Sequence, residues 1–301
     1  MKQLFAFLFL IACLLGLPRQ ARSETIFALT NSNQFLSFDS ATPGTTSALV
    51  PVTGLLPGEA LVGIDFRPAV SGQLVGVGQV GTTGTVYTIN SVTGAATSIN
   101  TIPTLIGGPF GIDFNPVPDA LRIVSSTGQN LRITAGGTGV VNTDVSLNPG
   151  TPGVSGAAYS NNVPGGVGGV TTLYVIDFLT DTLATQGSPS GAPVSPNTGT
   201  LFMVGPLGVN TGALVGFDIS GFSGTAFASL TPPVGSGLGS NLYTINLSTG
   251  AATLVGAIGS GSVSVQSLSV LPAPAAVPEP GSLSLLSAAL LGLVGYRFHR
   301  K

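Results

Sequence analysis

The chain contains one twelve-residue phrase twice, and this internal copy limits the folds open to it more than any other feature. Residues Val86–Thr97 read VYTINSVTGAAT, and residues Leu242–Thr253 read LYTINLSTGAAT. In each copy a β-branched and aromatic run leads into a polar residue and a Thr-Gly pair, which indicates a strand, a turn and the start of the next strand. So close a copy predicts a repeated supersecondary unit and therefore a repeat architecture.

A second phrase recurs with a different pattern. It reads ALVGIDFRP at Ala60–Pro68 and FGIDFNP at Phe110–Pro116, with weaker echoes at Ser155–Asn161 and Gly221–Leu230. Each copy is a short apolar run that carries little charge. Such runs are typical of strands that are buried on both faces.

The polar residue that ends the Tyr-Thr-Ile-Asn part of the repeated phrase belongs to a series along the chain. The series is Asp39, Asn90, Thr134, Asp177, Asp218 and Asn246. Four of its five intervals lie near the ~40–50 residues of a propeller blade. No helical periodicity precedes Ser282, which excludes parallel βαβ units and leaves repeated antiparallel sheets.

The fold predicted from these patterns is all-β, a β-propeller that closes on itself so that its sheet edges are protected. Six members of the series favour six blades, and five or seven blades also fit. A β-sandwich is the competing architecture, but it does not explain the 40-odd-residue period. The unassigned strand at Ser264–Val270 is expected to complete the first blade, which lacks a Gly-Ile-Asp-Phe strand, so that the two termini close the ring.

The N-terminal residues 1–23 have the pattern of a cleaved secretory signal peptide. Lys2 precedes an apolar run of 14 residues, Leu4–Leu17, and Pro18 ends this run before the small residues that flank a cleavage site. The run is short for a membrane span, which takes ~20 residues. The chain's only cysteine, Cys13, lies in this run, so the rest of the chain contains no disulfide and no cysteine-based metal site.

The C-terminus has the pattern of a second sorting signal. Residues Val277, Pro278, Glu279 and Pro280 precede an apolar helix at Leu283–Val294, and the chain ends in a basic cluster with Arg297, Arg300 and Lys301. Basic residues that stay in the cytoplasm would stop translocation there and present the motif on the outer side. The residues before them, 272–277, read as an Ala/Pro-rich spacer.

This tripartite segment, residues 278–301, resembles the PEP-CTERM sorting signal of exopolysaccharide-producing Gram-negative bacteria. The resemblance implies that an exosortase-type membrane peptidase recognises the Pro-Glu-Pro motif and removes the tail. The protein is then expected to be exported, held transiently in the inner membrane by its C-terminal transmembrane helix, and placed at the outer surface or outside the cell.

The charge of the part between the two signals excludes several partners. Residues 24–277 hold ten acidic side chains and three arginines, a net charge of −7, with no Lys and no His. Nucleic-acid binding needs clustered cations that displace counterions, and three scattered arginines do not supply them. An anionic membrane surface is excluded as a partner for the same reason.

Residues 24–271 resemble a bacterial family, domain of unknown function 4394. The shared phrases are Phe-Ala-Leu-Thr at Phe27–Thr30, Gly-Ile-Asp-Phe-x-Pro at Gly63–Pro68 and Gly111–Pro116, and the repeated phrase at Tyr87–Thr97 and Leu242–Thr253. The resemblance implies a secreted, propeller-like domain. It supplies no catalytic residues, because the family has no assigned chemistry.

Two apparent sites have simpler explanations. Gly76–Gly81 matches the dinucleotide pattern GxGxxG, but a turn and a strand follow it where that motif needs a helix. The Asx residues of the series, Asp39, Asn90, Asp177, Asp218 and Asn246, suggest a ring of metal ligands. Capping of turns through their side-chain oxygens is the favoured interpretation.

Asp65 and Asp113 are the most unusual candidates, since each lies between apolar residues in an uncharged strand. A buried carboxylate must be hydrogen-bonded or bound to a cation. Bonds to backbone N–H groups, or to Arg67 and Arg122, are the favoured interpretation. A Ca²⁺ site near the channel is the alternative, although no Asp-rich calcium loop is present, and no metal or other cofactor is assigned.

The chain is therefore expected to be a non-enzymatic exported propeller that binds exopolysaccharide or envelope proteins. The mature chain has no His and no Cys to activate a nucleophile, and no Gly-x-Ser-x-Gly motif. No catalytic residue is assigned. The alternative is a carboxylate-dependent glycan hydrolase or lyase on the same scaffold, which would use two of the acidic residues.

Overall fold

A computed structural model describes residues 23–233 and 235–272, which fold into five four-stranded antiparallel sheets. Numbered along the chain, blade 1 begins with β1 (Thr25–Thr30), β2 (Gln34–Asp39) and β3 (Val50–Pro51). Blade 2 contains β4 (Ala60–Phe66), β5 (Leu74–Val80), β6 (Thr83–Ile89) and β7 (Ala96–Ile102). Blade 3 contains β8 (Phe110–Asn115), β9 (Ala120–Ser125), β10 (Asn130–Ile133) and β11 (Val141–Thr143).

The last two blades and the closing strand follow. Blade 4 contains β12 (Val154–Tyr159), β13 (Leu173–Asp177), β14 (Thr182–Gln186) and β15 (Leu201–Pro206). Blade 5 contains β16 (Val215–Ile219), β17 (Ala226–Leu230), β18 (Asn241–Ile245) and β19 (Ala252–Ala257). Strand β20 (Val265–Val270) returns to blade 1 and pairs with β1, with Ala28 opposite Leu268.

The five sheets form a β-propeller. Strands β4, β8, β12, β16 and β20 are the inner strands of their blades, and each packs against the inner strands of its two neighbours. The described helices are four short 3-10 turns at Ala135–Gly137, Pro189–Gly191, Pro196–Thr198 and Ile258–Gly261. Within the described part of the chain, no helix has the length and apolarity of a membrane span.

The hydrophobic core lies between the blades, because both faces of each sheet are covered by a neighbouring sheet. Five buried clusters each join two adjacent blades. Between blades 2 and 3, for example, Val77 packs in one cluster with Phe110 and Ile133. This arrangement explains why the inner strands are continuous apolar runs instead of alternating ones.

The glycine of the Gly-Ile-Asp-Phe phrase permits the close approach of inner strands. A Cβ atom on Gly111 would lie 2.7 Å from the backbone nitrogen of Ala157 in blade 4. A Cβ atom on Gly216 would lie 2.6 Å from the backbone nitrogen of Leu268 in blade 1. Any side chain at these positions would push neighbouring blades apart.

The all-β propeller prediction is confirmed, with five blades, the lowest number that fitted the pattern, and not the favoured six. The count of six arose because the series combined different positions in the blades. Asp39 ends the third strand of blade 1, and Asn90 and Asn246 follow third strands, whereas Asp177 ends the second strand of blade 4. Asp218 lies inside the inner strand of blade 5, which also holds the strand before Asn246, so blade 5 was counted twice. The two copies of the repeated phrase thus stand three blades apart.

The predicted closure by the two termini is confirmed by the pairing of β20 with β1. The interpretation of Gly221–Leu230 as a copy of the inner-strand phrase is wrong, because this segment contains β17, the second strand of blade 5. The signal peptide, the spacer from residue 273 onwards, the sorting motif, the C-terminal apolar helix and the basic cluster lie outside the described residues.

Candidate functional site

The inner strands place one side chain each at an equivalent position near the ring axis. Blades 2, 3 and 5 place Asp65, Asp113 and Asp218 there, one residue after the apolar residue that follows the glycine. Blade 4 has Ala158 at this position and blade 1 has Ser269. Three of five blades therefore bring an acidic group to the same level of the propeller.

Two of these carboxylates join consecutive blades through hydrogen bonds. The backbone N–H of Phe114 in blade 3 donates to Asp65 Oδ2 of blade 2 at 2.8 Å. The backbone N–H of Tyr159 in blade 4 donates to Asp113 Oδ1 of blade 3 at 3.1 Å. Each donor is the residue that follows the equivalent position in the next blade, so one geometry is repeated around the ring.

Blade 1 continues the pattern with a hydroxyl. The backbone N–H of Val270 donates to Asp218 Oδ2 at 2.6 Å, and the backbone N–H of Phe66 donates to Ser269 Oγ at 3.0 Å. The Ser269 hydroxyl donates to Asp65 Oδ1 at 2.7 Å and lies 3.2 Å from Asp218 Oδ2. Ser269 thus connects the carboxylates of blades 2 and 5 across the blade that closes the ring.

The seam between blades 4 and 5 departs from the pattern, because Ala158 has no side-chain oxygen. The N–H of Ile219 donates instead to Asp218 Oδ1 at 2.6 Å, an oxygen of the preceding residue. The side-chain amide of Asn162 lies 3.5 Å from the same oxygen, and its own Oδ1 is buried without a partner.

The three carboxylates form a compact and wholly buried group, which we call the axial triad. One oxygen from each of Asp65, Asp113 and Asp218 lies within 4.8 Å of the others. Their exposed fractions are 1%, 0% and 1%. Asp113 Oδ2 is buried and has no hydrogen-bond partner among the described residues. Burial of an unneutralised carboxylate costs several kcal/mol, so the triad needs a proton or a cation.

Burial and nearby acidic groups raise the pKa values of all three carboxyl groups. Desolvation is the largest cause for Asp65 and Asp113, followed by the charge of Asp218 on Asp65 and of Asp65 on Asp113. Desolvation also raises the pKa of Asp218, from 3.8 to about 6, although hydrogen bonds from Val270 and Ile219 act in the opposite direction. Desolvation and like charges act against the ionised form, whereas hydrogen bonds from N–H groups favour it.

The arginines considered as partners of Asp65 and Asp113 are paired elsewhere. Arg67 forms an ion pair with Asp119, and its guanidinium also donates to Gln73 at 3.2 Å. The buried Arg122 lies opposite Asp113 in the strand register, but its guanidinium pairs with Asp144 at 2.6 Å. The backbone N–H groups and Ser269 are the observed partners of the triad.

The turn-capping interpretation is correct for four of the five Asx residues. Asp39 Oδ1 accepts from Ala41 N–H at 2.8 Å, and Asn90 Oδ1 accepts from Val92 N–H at 3.0 Å. Asp177 and Asn246 accept backbone N–H groups in the same way, both at 2.9 Å. Asp218 is the exception. The sequence analysis did not identify it as a triad member, because the residue was assigned to the turn-capping series. The sequence Gly216-Phe-Asp-Ile219, a variant of Gly-Ile-Asp-Phe, could have identified Asp218 as an inner-strand residue.

The GxGxxG match is part of a hairpin, as predicted. Strand β5 runs through it to Val80, and β6 begins at Thr83, so no helix follows the glycines. The sorting residues Val277, Pro278, Glu279 and Pro280 and the basic residues Arg297, Arg300 and Lys301 lie outside the described part of the chain.

Two sequence families match the chain. The model of a domain of unknown function (DUF4394) matches residues 34–269. A second model, the PEP-CTERM protein-sorting motif, matches residues 276–301. No curated protein matches the chain in sequence.

Several solved structures are similar in chain path at low sequence identity. A functionally unknown protein from Desulfotomaculum acetoxidans is 15% identical with a TM-score of 0.39; the match covers 77% of this chain but only 65% of that one. A chain of a nidogen/laminin complex is 12% identical with a TM-score of 0.45, over 83% of this chain and 98% of that one. A putative 6-phosphogluconolactonase from Bacteroides uniformis is 13% identical with a TM-score of 0.41, over 78% and 82%. Likenesses this weak carry no inference about activity.

Proposed function

The chain belongs to the DUF4394 family, and from that premise we propose that it is an exported, non-enzymatic β-propeller that binds exopolysaccharide or envelope proteins at the cell surface. The observation that carries the proposal is the PEP-CTERM motif at residues 276–301. This motif implies export and processing by an exosortase-type membrane protein. The propeller would then be released at, or attached to, the outer surface or the extracellular matrix.

The composition of the propeller supports a neutral polymer or a protein as partner. Charged residues make up only 7% of the chain, and residues 24–277 contain no Lys. The surface is therefore built mostly from Ser, Thr, Asn and Gly, which offer hydroxyl and amide groups for hydrogen bonds with sugars. Among the described residues, Phe202 and Phe222 are the exposed aromatic side chains. They lie in different blades, so the proposed binding relies on polar contacts.

The burial of the axial triad supports a role without catalysis. A general acid or base must reach the reacting atom within hydrogen-bond distance. Asp65, Asp113 and Asp218 are at most 1% exposed, and one oxygen of each accepts a backbone N–H group of a neighbouring blade. A polymeric substrate does not reach groups placed in this way.

One observation favours the second candidate, a carboxylate-dependent glycan hydrolase or lyase. Carboxyl groups with raised pKa values that lie close together are typical of glycosidase sites. The axial triad meets both conditions. Its burial is the reason that we place this candidate second.

Fractionation of producing cells tests the location. We expect the unchanged protein in the outer-surface or culture-medium fraction, shortened at its C-terminus. A Pro278→Ala variant should stay full-length in the inner membrane, because the motif is lost. Pro274→Ala, in the spacer before the motif, is the matched control and should be processed normally. Equal processing of both variants would contradict the proposed role of the motif.

Cosedimentation tests the binding. The exported protein is mixed with polysaccharide and with envelope fractions from the producing cells, and bound protein and new reducing ends are measured together. The proposal predicts retention without new ends. New reducing ends that disappear in an Asp65→Asn or Asp113→Asn variant would support the hydrolase instead. Absence of retention on every fraction would count against both binding partners.

A further inference from the structure

The axial triad lacks a neutralising partner in the described protein. The ion pairs within residues 23–233 and 235–272 join Arg67 to Asp119, and Arg122 and Arg132 to Asp144. None of these arginines pairs with a triad carboxylate. Three wholly buried acidic groups from three blades are therefore held together, and no arginine of the described residues pairs with them.

The hydrogen bonds inside the triad are unequal, and the difference indicates a missing ligand. Both oxygens of Asp65 and both oxygens of Asp218 accept hydrogen bonds. Asp113 is wholly buried, yet its Oδ2 has no partner. Asn162, which touches Asp218, also has a buried oxygen without a partner. Buried polar atoms of this kind need a water or an ion.

We propose that Asp65, Asp113 and Asp218 bind one Ca²⁺ ion at the axis of the propeller. Carboxylate oxygens are the ligands that Ca²⁺ prefers, at about 2.3–2.6 Å. Two oxygens on opposite sides of such an ion are at most about 4.6–5.2 Å apart, and the triad oxygens lie within 4.8 Å of one another.

The chemistry of the site favours Ca²⁺ over other ions. Zn²⁺ sites in proteins typically include Cys or His among their ligands, and residues 24–277 contain neither. Mg²⁺ requires near-ideal octahedral geometry at about 2.0–2.1 Å, whereas Ca²⁺ accepts irregular sites. The carboxylates here are already oriented by hydrogen bonds from Phe114, Tyr159 and Val270, so an adaptable ion fits them better.

A bound ion would join blades 2, 3 and 5 directly. It would also act on blade 1, because Ser269 donates to Asp65 and the N–H of Val270 donates to Asp218. Four of the five blades would then be tied at one point. The role is structural: the ion holds the ring closed and leaves the outer surface free for partners.

Calcium titration of the exported protein, purified from producing cells and treated with EDTA, tests the proposal. We expect one Ca²⁺ per chain by isothermal titration calorimetry, with a dissociation constant of about 10⁻⁴–10⁻³ M, as in extracellular calcium modules. At 10 mM Ca²⁺ the melting temperature should rise by about 3 °C or more over the EDTA sample, since the ion binds only the folded ring.

Two variants that each lose one negative charge distinguish Ca²⁺ binding at the triad from a general effect of the protein's negative charge. Asp113→Asn should weaken Ca²⁺ binding at least 10-fold, because it removes a ligand charge at the oxygen that has no other partner. Asp39→Asn is the matched control and should bind Ca²⁺ within 2-fold of the unchanged protein, since Asn90 and Asn246 cap turns in the same way.

Three results would overturn the proposal. They are no heat and no melting shift for the unchanged protein at 10 mM Ca²⁺, undiminished binding by Asp113→Asn, and Mg²⁺ binding as tight as Ca²⁺ binding. The titration of the unchanged protein decides the question even if the variant does not fold.

Discussion

The backbone N–H of Phe114 donates to the carboxylate of Asp65 at 2.8 Å and so joins the inner strands of blades 2 and 3. The same relationship between one blade and the next recurs at Asp113, Asp218 and Ser269. The Gly-Ile-Asp-Phe phrase therefore has two structural roles. Its glycine lets the strands approach, and its aspartate satisfies a buried N–H group of the neighbour.

Loss of the Ser269 hydroxyl should destabilise the ring. A Ser269→Ala variant loses the hydroxyl that accepts from the buried N–H of Phe66 and donates to Asp65. We expect the free energy of unfolding to fall by about 1–3 kcal/mol in urea titrations. Ser262→Ala, whose hydroxyl donates to the carbonyl of Gly259 at an exposed site, should change it by less than about 0.5 kcal/mol. Equal effects of the two changes would contradict the closing role of Ser269.

A methyl group at Gly111 should separate blades 3 and 4. The Cβ of a Gly111→Ala variant would lie 2.7 Å from the nitrogen of Ala157, a backbone atom that cannot rotate away. Overpacking of this kind typically costs about 1–3 kcal/mol, which thermal unfolding followed by circular dichroism would detect. Gly44→Ala, with its nearest neighbour at 3.7 Å, is the control and should be nearly neutral. A neutral Gly111→Ala would mean that the inner strands can move apart freely.

The cation-free protein should be more stable at pH 5 than at pH 8. The pKa of Asp218 is raised from 3.8 to about 6, so the folded state holds a proton that the unfolded state has released. This stabilising contribution is complete below pH 3.8 and is lost as the pH rises through about 6. At about 1.4 kcal/mol per pKa unit, the whole contribution is roughly 3 kcal/mol, of which about 1.4 kcal/mol is lost between pH 5 and pH 8. Asp65, Asp113 and Glu24 surround this group, and the first two shift in the same direction.

Urea titrations in EDTA between pH 5 and pH 8 measure this dependence. An Asp218→Asn variant carries no titrating group at this position and should show a weaker decrease over the same range. A stability that rises from pH 5 to pH 8 in the unchanged protein would contradict the buried state of the triad carboxyls.

Removal of β20 should open the propeller. A chain that ends at Ser262 lacks the inner strand of blade 1, together with the hydroxyls that accept the N–H groups of Ile64 and Phe66. We expect it to lose the cooperative unfolding transition. A chain that ends at Pro272 keeps every described strand and should retain the midpoint of the longer protein. Cooperative unfolding of the shorter chain at the same midpoint would show that closure by the termini is dispensable.

Much of the fold could be predicted from short-range patterns. The repeated phrase marks a third strand, a capped turn and an outer strand, and the side chains of Asn90 and Asn246 cap those turns as expected. The pairing of Ser264–Val270 with blade 1 could also be predicted, because that blade lacked an inner strand in the sequence before β1. These features depend on neighbours along the chain, which the sequence shows directly.

The number of blades and the composition of the axial triad could not be read in this way. A strand with an Asx near its end looks the same at any place in its blade, so Asp218 and Asn246 were counted as two blades although both belong to blade 5. Asp218 resembled a turn residue, although it lies on an inner strand beside Asp65 and Asp113.

By itself, the sequence determined the antiparallel repeats, the turn caps, the C-terminal sorting motif and the need for a partner at Asp65 and Asp113. Only the tertiary structure decided that there are five blades and that a third carboxylate completes the group. The physical reason is that the blades must close into a ring. Asp113 and Asp218 are 105 residues apart in the chain, and their proximity depends on how many blades complete the circle. Local propensity contains no information about that number.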